Sequence, residues 1–237
     1  MPIHIRANPG EVAPVVLLVG DPQRAQFIAD RFLNQAKLYT DYRLMLGFSG
    51  SYRGRAVSVQ TAGMGSASAA IVVEELAMLG ARALIRLGTC GAIADGIGLG
   101  EVIIATAAHS SHPILAQRFQ GANFSAAPDF LLTASLYERA QHCGLRIHLG
   151  NVISSEEFYA ESFDLLRKFA SYHTLAAEME NYAVFALSAK YRIRAASALV
   201  VSDLIFAKER ADNAVIVQAV SDLAEAVLDT LAAHEPG

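Results

Sequence analysis

The sequence predicts an α/β fold built on a largely buried sheet, and three observations carry that expectation. Extended apolar runs rich in Val, Ile and Leu recur along the chain, segments of helical period lie between several of them, and two runs end in glycine-bearing stretches with an arginine. With 237 residues, 53% hydrophobic and 18% charged, the chain can bury a substantial core. It reads as a single domain over residues 1–237, without a linker, repeat or low-complexity tract.

The first run, residues 14–19, ends in Gly20-Asp21-Pro22-Gln23-Arg24. Glycine lets a backbone approach an oxyanion, Pro22 suits the first turn of a helix, and the amides of that turn favour negative charge. A second run, 55–61, leads into Gly63-Met64-Gly65, where Ser66 is expected to cap a helix over 66–79 that stops before Gly80. The third run, 82–87, contains Arg86 and is expected to break into a turn at Gly88-Thr89-Cys90-Gly91. A charge in a buried strand needs a partner. The run has no carboxylate, so an anion is expected at the strand's C-terminal end, where open α/β sheets bind ligands. The alternative is that Arg86 is paired with a remote carboxylate and that Arg24 is a solvated helix residue.

Strands are expected over 101–107 and 145–153, with a helix over 129–143 between them. The following Ser154-Ser155-Glu156-Glu157-Phe158-Tyr159 holds an aromatic pair able to stack on a flat heterocycle or to fill a core. Glu178-Met179-Glu180 opens a helix expected over 179–190. One carboxylate there can accept hydrogen bonds from both hydroxyls of a cis-diol while methionine offers the sugar a soft apolar surface; equally, both carboxylates can serve the positive helix end. The last apolar run, 194–201, leads to Ser202-Asp203, a carboxyl placed as a proton donor or, alternatively, as a turn residue. A final helix over 213–232 spaces Val217, Val220, Leu223, Val227 and Leu231 for packing on the sheet.

Composition narrows the function classes. The net charge of -4, without a basic block, gives no footprint for nucleic acid. No apolar run approaches the roughly 20 residues that span a bilayer, and the N-terminal residues lack a signal-peptide pattern, so a cytoplasmic protein is expected. Cys90 and Cys143 form neither a CxxC pair nor a zinc pattern, so neither a disulfide scaffold nor a structural metal is expected.

Taken in order, His4, Gly20-Asp21-Pro22 with Arg24, Arg43 before Leu46-Gly47-Phe48, Gly63-Met64-Gly65, and Arg86 with Gly88-Thr89-Cys90-Gly91 form a distinctive series. Phe158-Tyr159, Glu178-Met179-Glu180 and Ser202-Asp203 continue it. Together they resemble the hexameric bacterial purine nucleoside phosphorylases of the nucleoside phosphorylase superfamily, over nearly the whole chain. The resemblance implies a three-layer α/β fold with a central mixed, largely buried β-sheet flanked by helices. It implies reversible phosphorolysis of purine ribo- and deoxyribonucleosides to free base and pentose 1-phosphate, with inorganic phosphate as co-substrate and neither cofactor nor metal. By the same resemblance, Gly20, Arg24, Arg86 and Thr89 bind phosphate with Arg43 of a neighbouring subunit, and Met64, Met179 and Glu180 bind ribose with a neighbouring His4. Cys90, Gly91, Phe158, Glu178 and Ser202 line the base site, and Asp203 protonates purine N7. The implied assembly is a homohexamer of dimers that share His4 and Arg43.

Thr89 stands where serine is more usual and keeps the same donor and acceptor capacity. Ile216 stands near the position where similar enzymes carry an arginine that moves toward the acid, leaving Arg210 or Lys208 as replacements. Uridine phosphorylases, the neighbouring alternative, resemble one another in a glutamine and arginine after the Phe-Tyr pair, and Ala160-Glu161-Ser162-Phe163-Asp164 supplies neither. A noncatalytic nucleoside- or phosphate-binding homologue is the alternative from another class. Hydrolysis would leave Arg24, Arg43 and Arg86 without a purpose, and Gly63-Met64-Gly65-Ser66-Ala67-Ser68 lacks the third glycine or alanine of a dinucleotide fingerprint.

Overall fold

The computed structural model describes residues 2–110, 116–159 and 162–234, so Ala160 and Glu161 lie outside the described residues. In chain order the elements begin β1 (Val15–Val19), α1 (Pro22–Phe32), β2 (Asn34–Thr40), β3 (Gly47–Tyr52), β4 (Arg55–Thr61), α2 (Ser66–Met78) and β5 (Ala83–Ala92). They continue with β6 (Val102–Ser110), α3 (Phe130–His142), β7 (Ile147–Ser154), α4 (Phe163–Ser171) and β8 (Thr174–Glu178). The chain ends with α5 (Asn181–Tyr191), β9 (Arg194–Leu204), β10 (Glu209–Arg210) and α6 (Asn213–Ala233).

The strands form one mixed sheet in the order β10-β9-β6-β7-β8-β5-β1-β4-β3-β2, and an added pairing of β9 with β5 closes its central part on itself. Strand alternation divides the core in two. Val16, Leu18, Leu84, Ile103 and Leu199 pack against Val72, Val73 and Leu76 of α2 and Val184 and Phe185 of α5. Val15, Leu17, Ile85, Ile104 and Val200 face Ile28 of α1, Leu132 and Leu136 of α3, and Leu223, Val227 and Leu231 of α6. Helices therefore cover both faces, as the three-layer expectation requires.

Four local expectations are corrected. β5 does not turn at Gly88; it continues to Ala92 because β9 pairs with it in parallel through Gly88, Thr89 and Cys90, and β8 pairs antiparallel at Gly91. Ser66 is the first residue of α2 rather than its cap, which is Gly65 at φ +84° with no side-chain capping bond. α5 starts at Asn181, leaving Met179 and Glu180 in the bend before it. Val217 stays half exposed, so the packed stripe of α6 begins at Val220.

Candidate active site

Register brings the chemistry-bearing residues to one end of the sheet. β1 and β5 are parallel neighbours with Val19 opposite Leu87, so Gly20 lies beside the segment that carries Arg86 to Gly91. After a bulge, β9 places Asp203 opposite Gly91, and Glu178 ends β8 on the other side of β5.

Arg86 follows Leu84 by two residues and shares the face that Leu84 turns toward α2 and α5. Gly88 is next on that face. A Cβ there would lie 2.7–2.8 Å from the guanidinium atoms, so the missing side chain is what lets Arg86 fold over the strand. Buried Arg86 donates from Nη1 to Asn181 Oδ1 at 3.1 Å, approaches Glu178 Oε2 at 3.2 Å, and pairs through Nη2 with Glu180 Oε2. The alternative of a remote carboxylate is thus what the chain itself supplies to Arg86. β8 and the bend before α5 supply remote carboxylates that neutralise Arg86.

Arg24 stands in contrast, because it makes no ion pair or hydrogen bond among the described residues and is only partly exposed. Burial lowers its pKa, Asp21 opposes that fall, and the nearby Arg86 adds to it. Two guanidiniums close enough to repel, one of them in no ion pair among the described residues, make a place for an anion. Gly20 closes the approach: a Cβ there would lie 3.3 Å from the carbonyl oxygen of Gly63. Thr89 lies farther along β5 and is partly accessible.

Glu180 connects this cationic region to α2. Its Oε1 accepts from Gly65 N at 2.7 Å while Oε2 meets Arg86. Met64, next to Gly65 in the chain, is 82% exposed, and Met179 accepts at its carbonyl from Ser66 Oγ at 3.1 Å. Glu156, a residue without an expected role, accepts from Ser66 N at 3.2 and 3.3 Å and ties the loop after β7 to the start of α2.

Glu178, expected to line the base site, is held by partners within the chain. Its side chain is 0% exposed, and both oxygens are occupied. Oε1 accepts from Ser154 Oγ, while Oε2 accepts from the amides of Glu180 at 2.8 Å and Asn181 at 2.9 Å and faces Arg86. Burial pushes this carboxyl up and Glu180 adds to the push, against Arg86, Ser154 and the Glu180 amide, with a net upward shift. Ser154 completes the support by accepting from Tyr182 N at 2.9 Å. Ser154 and Asn181 were missed in the sequence; their only signal was position, one at a strand end and one directly after Glu180.

Asp203 lies near the surface of the site, with Oδ2 2.6 Å from Ser202 Oγ and Oδ1 3.7 Å from Arg210 Nη1. β10 produces the second contact by pairing Arg210 with Asp203, while Ile216 packs against the core and Lys208 turns through φ +57°. Ser202 Oγ also lies 3.2 Å from the Cys90 carbonyl. One hydroxyl can therefore donate to an ionised Asp203, or accept from the acid while donating to Cys90. Cys90 is buried, with its thiol pushed up by burial, and Gly91 leaves room for Ile205, whose side chain would meet a Cβ at 2.6 Å. Phe158 is 56% exposed, its ring edge-on to Tyr159 with centroids 5.0 Å apart.

His4 and Arg43 stand apart from this set. His4 Nδ1 is 2.9 Å from Glu75 Oε1 on α2, and nine residues from Ser66 to Glu75 amount to about 13 Å of helix. Arg43 is exposed, left-handed at φ +57°, and leans on the Tyr42 ring, whose other contact is the Arg6 guanidinium 3.5 Å from its centroid. Among the described residues no group of three His, Cys, Asp or Glu is arranged to hold a metal, and no helix is long and apolar enough to cross a membrane.

A family model described as the phosphorylase superfamily matches residues 14–233. The chain is 42% identical over 230 residues to a DeoD-type purine nucleoside phosphorylase of Bacillus cereus (strain ZK / E33L), covering 97% of this chain and 98% of that protein. It is 45% identical over 210 residues to the Bacillus cytotoxicus protein of the same name, covering 88% and 89%. A solved uridine phosphorylase from Vibrio fischeri es114, complexed with 6-hydroxy-1-naphthoic acid, is similar with a TM-score of 0.90 at 28% identity, over 97% of this chain and 96% of that one.

Proposed function

The chain belongs to the phosphorylase superfamily, and from that premise we propose that it is a purine nucleoside phosphorylase, cleaving purine ribo- and deoxyribonucleosides with inorganic phosphate. The observation that carries this reading is Arg24, a desolvated cation beside Arg86 at the strand ends that makes no ion pair or hydrogen bond among the described residues. Phosphate joins Arg24, Arg86, Thr89 and the Gly20 amide, and draws Arg86 from Glu180. Glu180 is then free to accept the ribose 2' and 3' hydroxyls, with Met64 and Met179 against the sugar.

Asp203 delivers a proton to purine N7 as the glycosidic bond breaks, because a purine anion is a poor leaving group. Electron density from the C1'–N9 bond moves into the base, and phosphate then bonds to C1', giving pentose 1-phosphate. Ser202 supports both protonation states of Asp203, and Arg210 stabilises the carboxylate that remains. Phe158, already exposed, supplies a face for the base beside Cys90 and Gly91.

The assembly is a homo-oligomer, most simply a hexamer of dimers, in which His4 reaches the sugar and Arg43 the phosphate of a second copy. Glu75 holds His4 about 13 Å along α2 from the sugar site of its own chain. The Arg6–Tyr42 contact gathers both donated residues onto one patch, where Ile3 is 68% and Leu44 70% exposed. We place the enzyme in the cytoplasm, in keeping with its two free cysteines. Base release from inosine, adenosine, guanosine and uridine, each with and without phosphate, tests the reading. It expects phosphate-dependent release from purine nucleosides; preferential cleavage of uridine would replace it with the uridine phosphorylase reading, and no release would replace it with a binding role.

A further inference from the structure

Glu75 belongs to none of the motifs that build the active site, yet it is the most heavily used carboxylate of α2. Its side chain is 8% exposed and accepts five hydrogen bonds. Ile3 N reaches Oε1 at 2.9 Å, His4 N reaches Oε1 at 3.0 Å and Oε2 at 2.9 Å, and Ile5 N reaches Oε2 at 2.6 Å. The fifth contact is His4 Nδ1 to Oε1 at 2.9 Å. Three consecutive amides and one ring nitrogen thus converge on a single anion.

The chemistry of the fifth contact is more specific than anchorage. An ionised carboxylate only accepts, so Nδ1 must carry the hydrogen. In a neutral imidazole that leaves Nε2 as the acceptor, and fixing one nitrogen fixes the direction of the other. The charge is secure: burial would raise the Glu75 carboxyl, but the hydrogen bonds from Ile5, Ile3 and His4 outweigh it and bring it below its ordinary value. Nε2 has no hydrogen-bond partner among the described residues, and the side chain of His4 is 33% exposed. The Nδ1 hydrogen thus faces Glu75, and Nε2 is left available to something beyond this chain.

We propose that Glu75 is a positioning residue that locks His4 in the Nδ1–H tautomer and aims Nε2 at the 5' hydroxyl of a nucleoside bound in a second copy of the chain. The proposal rests on the reading of His4 as a shared ribose contact. The 5' hydroxyl donates to Nε2, while the three backbone amides keep the segment from swinging away. Loss of Glu75 therefore weakens recognition of that hydroxyl without touching the acid, the phosphate site or the diol carboxylate.

The test compares inosine with 5'-deoxyinosine for the intact enzyme, Glu75→Gln, Glu75→Asp and His4→Ala. With one neutral hydrogen bond at stake, Glu75→Gln is expected to raise the inosine KM roughly fivefold to tenfold, with kcat nearly unchanged and 5'-deoxyinosine unaffected. The preference for inosine then falls to that of His4→Ala, and Glu75→Asp recovers part of it. A Glu75→Gln variant that slows both substrates equally, or keeps the full preference, overturns the positioning role. If His4→Ala keeps the preference, the reading of His4 as a ribose contact fails first and takes the proposal with it. Nitrogen NMR of the His4 ring in the intact enzyme gives a check independent of the variants: an Nδ1–H signal supports the lock, and an Nε2–H tautomer refutes it.

Discussion

Adding one methyl group at Gly88 tests the anion site without removing any charge. A Cβ at this position would lie 2.7–2.8 Å from Nη1, Nη2 and Cζ of Arg86, and must reach ordinary contact distance. The guanidinium therefore has to retreat by roughly 0.6–0.7 Å, a displacement set by carbon contact distances. Arg86 cannot retreat freely, because Glu178, Glu180 and Asn181 hold it on three sides. Misplacing one charge-assisted hydrogen bond costs about 1.5–3 kcal/mol, or roughly tenfold to hundredfold in phosphate KM. Phosphate saturation at fixed inosine measures this for Gly88→Ala, with thermal unfolding as the control for global damage. A normally stable variant with unchanged phosphate KM would refute the claim that Arg86 binds phosphate.

Asp203→Asn is expected to lower kcat for purine nucleosides about hundredfold to ten-thousandfold, the usual range for a general acid, with phosphate KM little changed; a near-normal kcat removes Asp203 from the mechanism. Thiol titration of the native protein should modify exposed Cys143 rapidly and buried Cys90 only after unfolding, so equal rates would contradict the packing around Cys90. Burial pushes the Glu101 carboxyl up, but the Gly98 amide, His148 and Arg146 outweigh it and the net shift is downward. Its stabilising contribution is therefore present above the unfolded value of 4.5 and is lost as pH falls through the lower folded value. Urea midpoints of the intact protein and Glu101→Gln should accordingly differ at pH 7 and converge in acid.

The strands at the centre of the sheet were legible because burial on both faces leaves long apolar runs. Residues 55–61 coincide with β4, and 194–201 fall within β9. The missed elements had no such pattern. β2 is an edge strand with most of its residues exposed, β3 is four glycines and serines in six residues, and β8 is only five residues long. The end of β5 was misread because Gly88 and Gly91 resemble a turn locally, whereas β8 and β9 are what keep them extended. Within the site, burial cost singled out Arg86, and the order of motifs and the resemblance added Arg24, Glu180 and Asp203. Their present pairings were not legible, because Arg86 meets Glu178, Glu180 and Asn181 only after distant segments pack together.

The most direct measurement of the central claim follows the oxygen that bonds to C1' when inosine is cleaved with ordinary phosphate in heavy-oxygen water. Phosphorolysis predicts ribose 1-phosphate, formed in equal amount to hypoxanthine, with no heavy oxygen at C1'. Free ribose carrying heavy oxygen at C1' would identify water as the nucleophile and contradict the role assigned to Arg24 and Arg86.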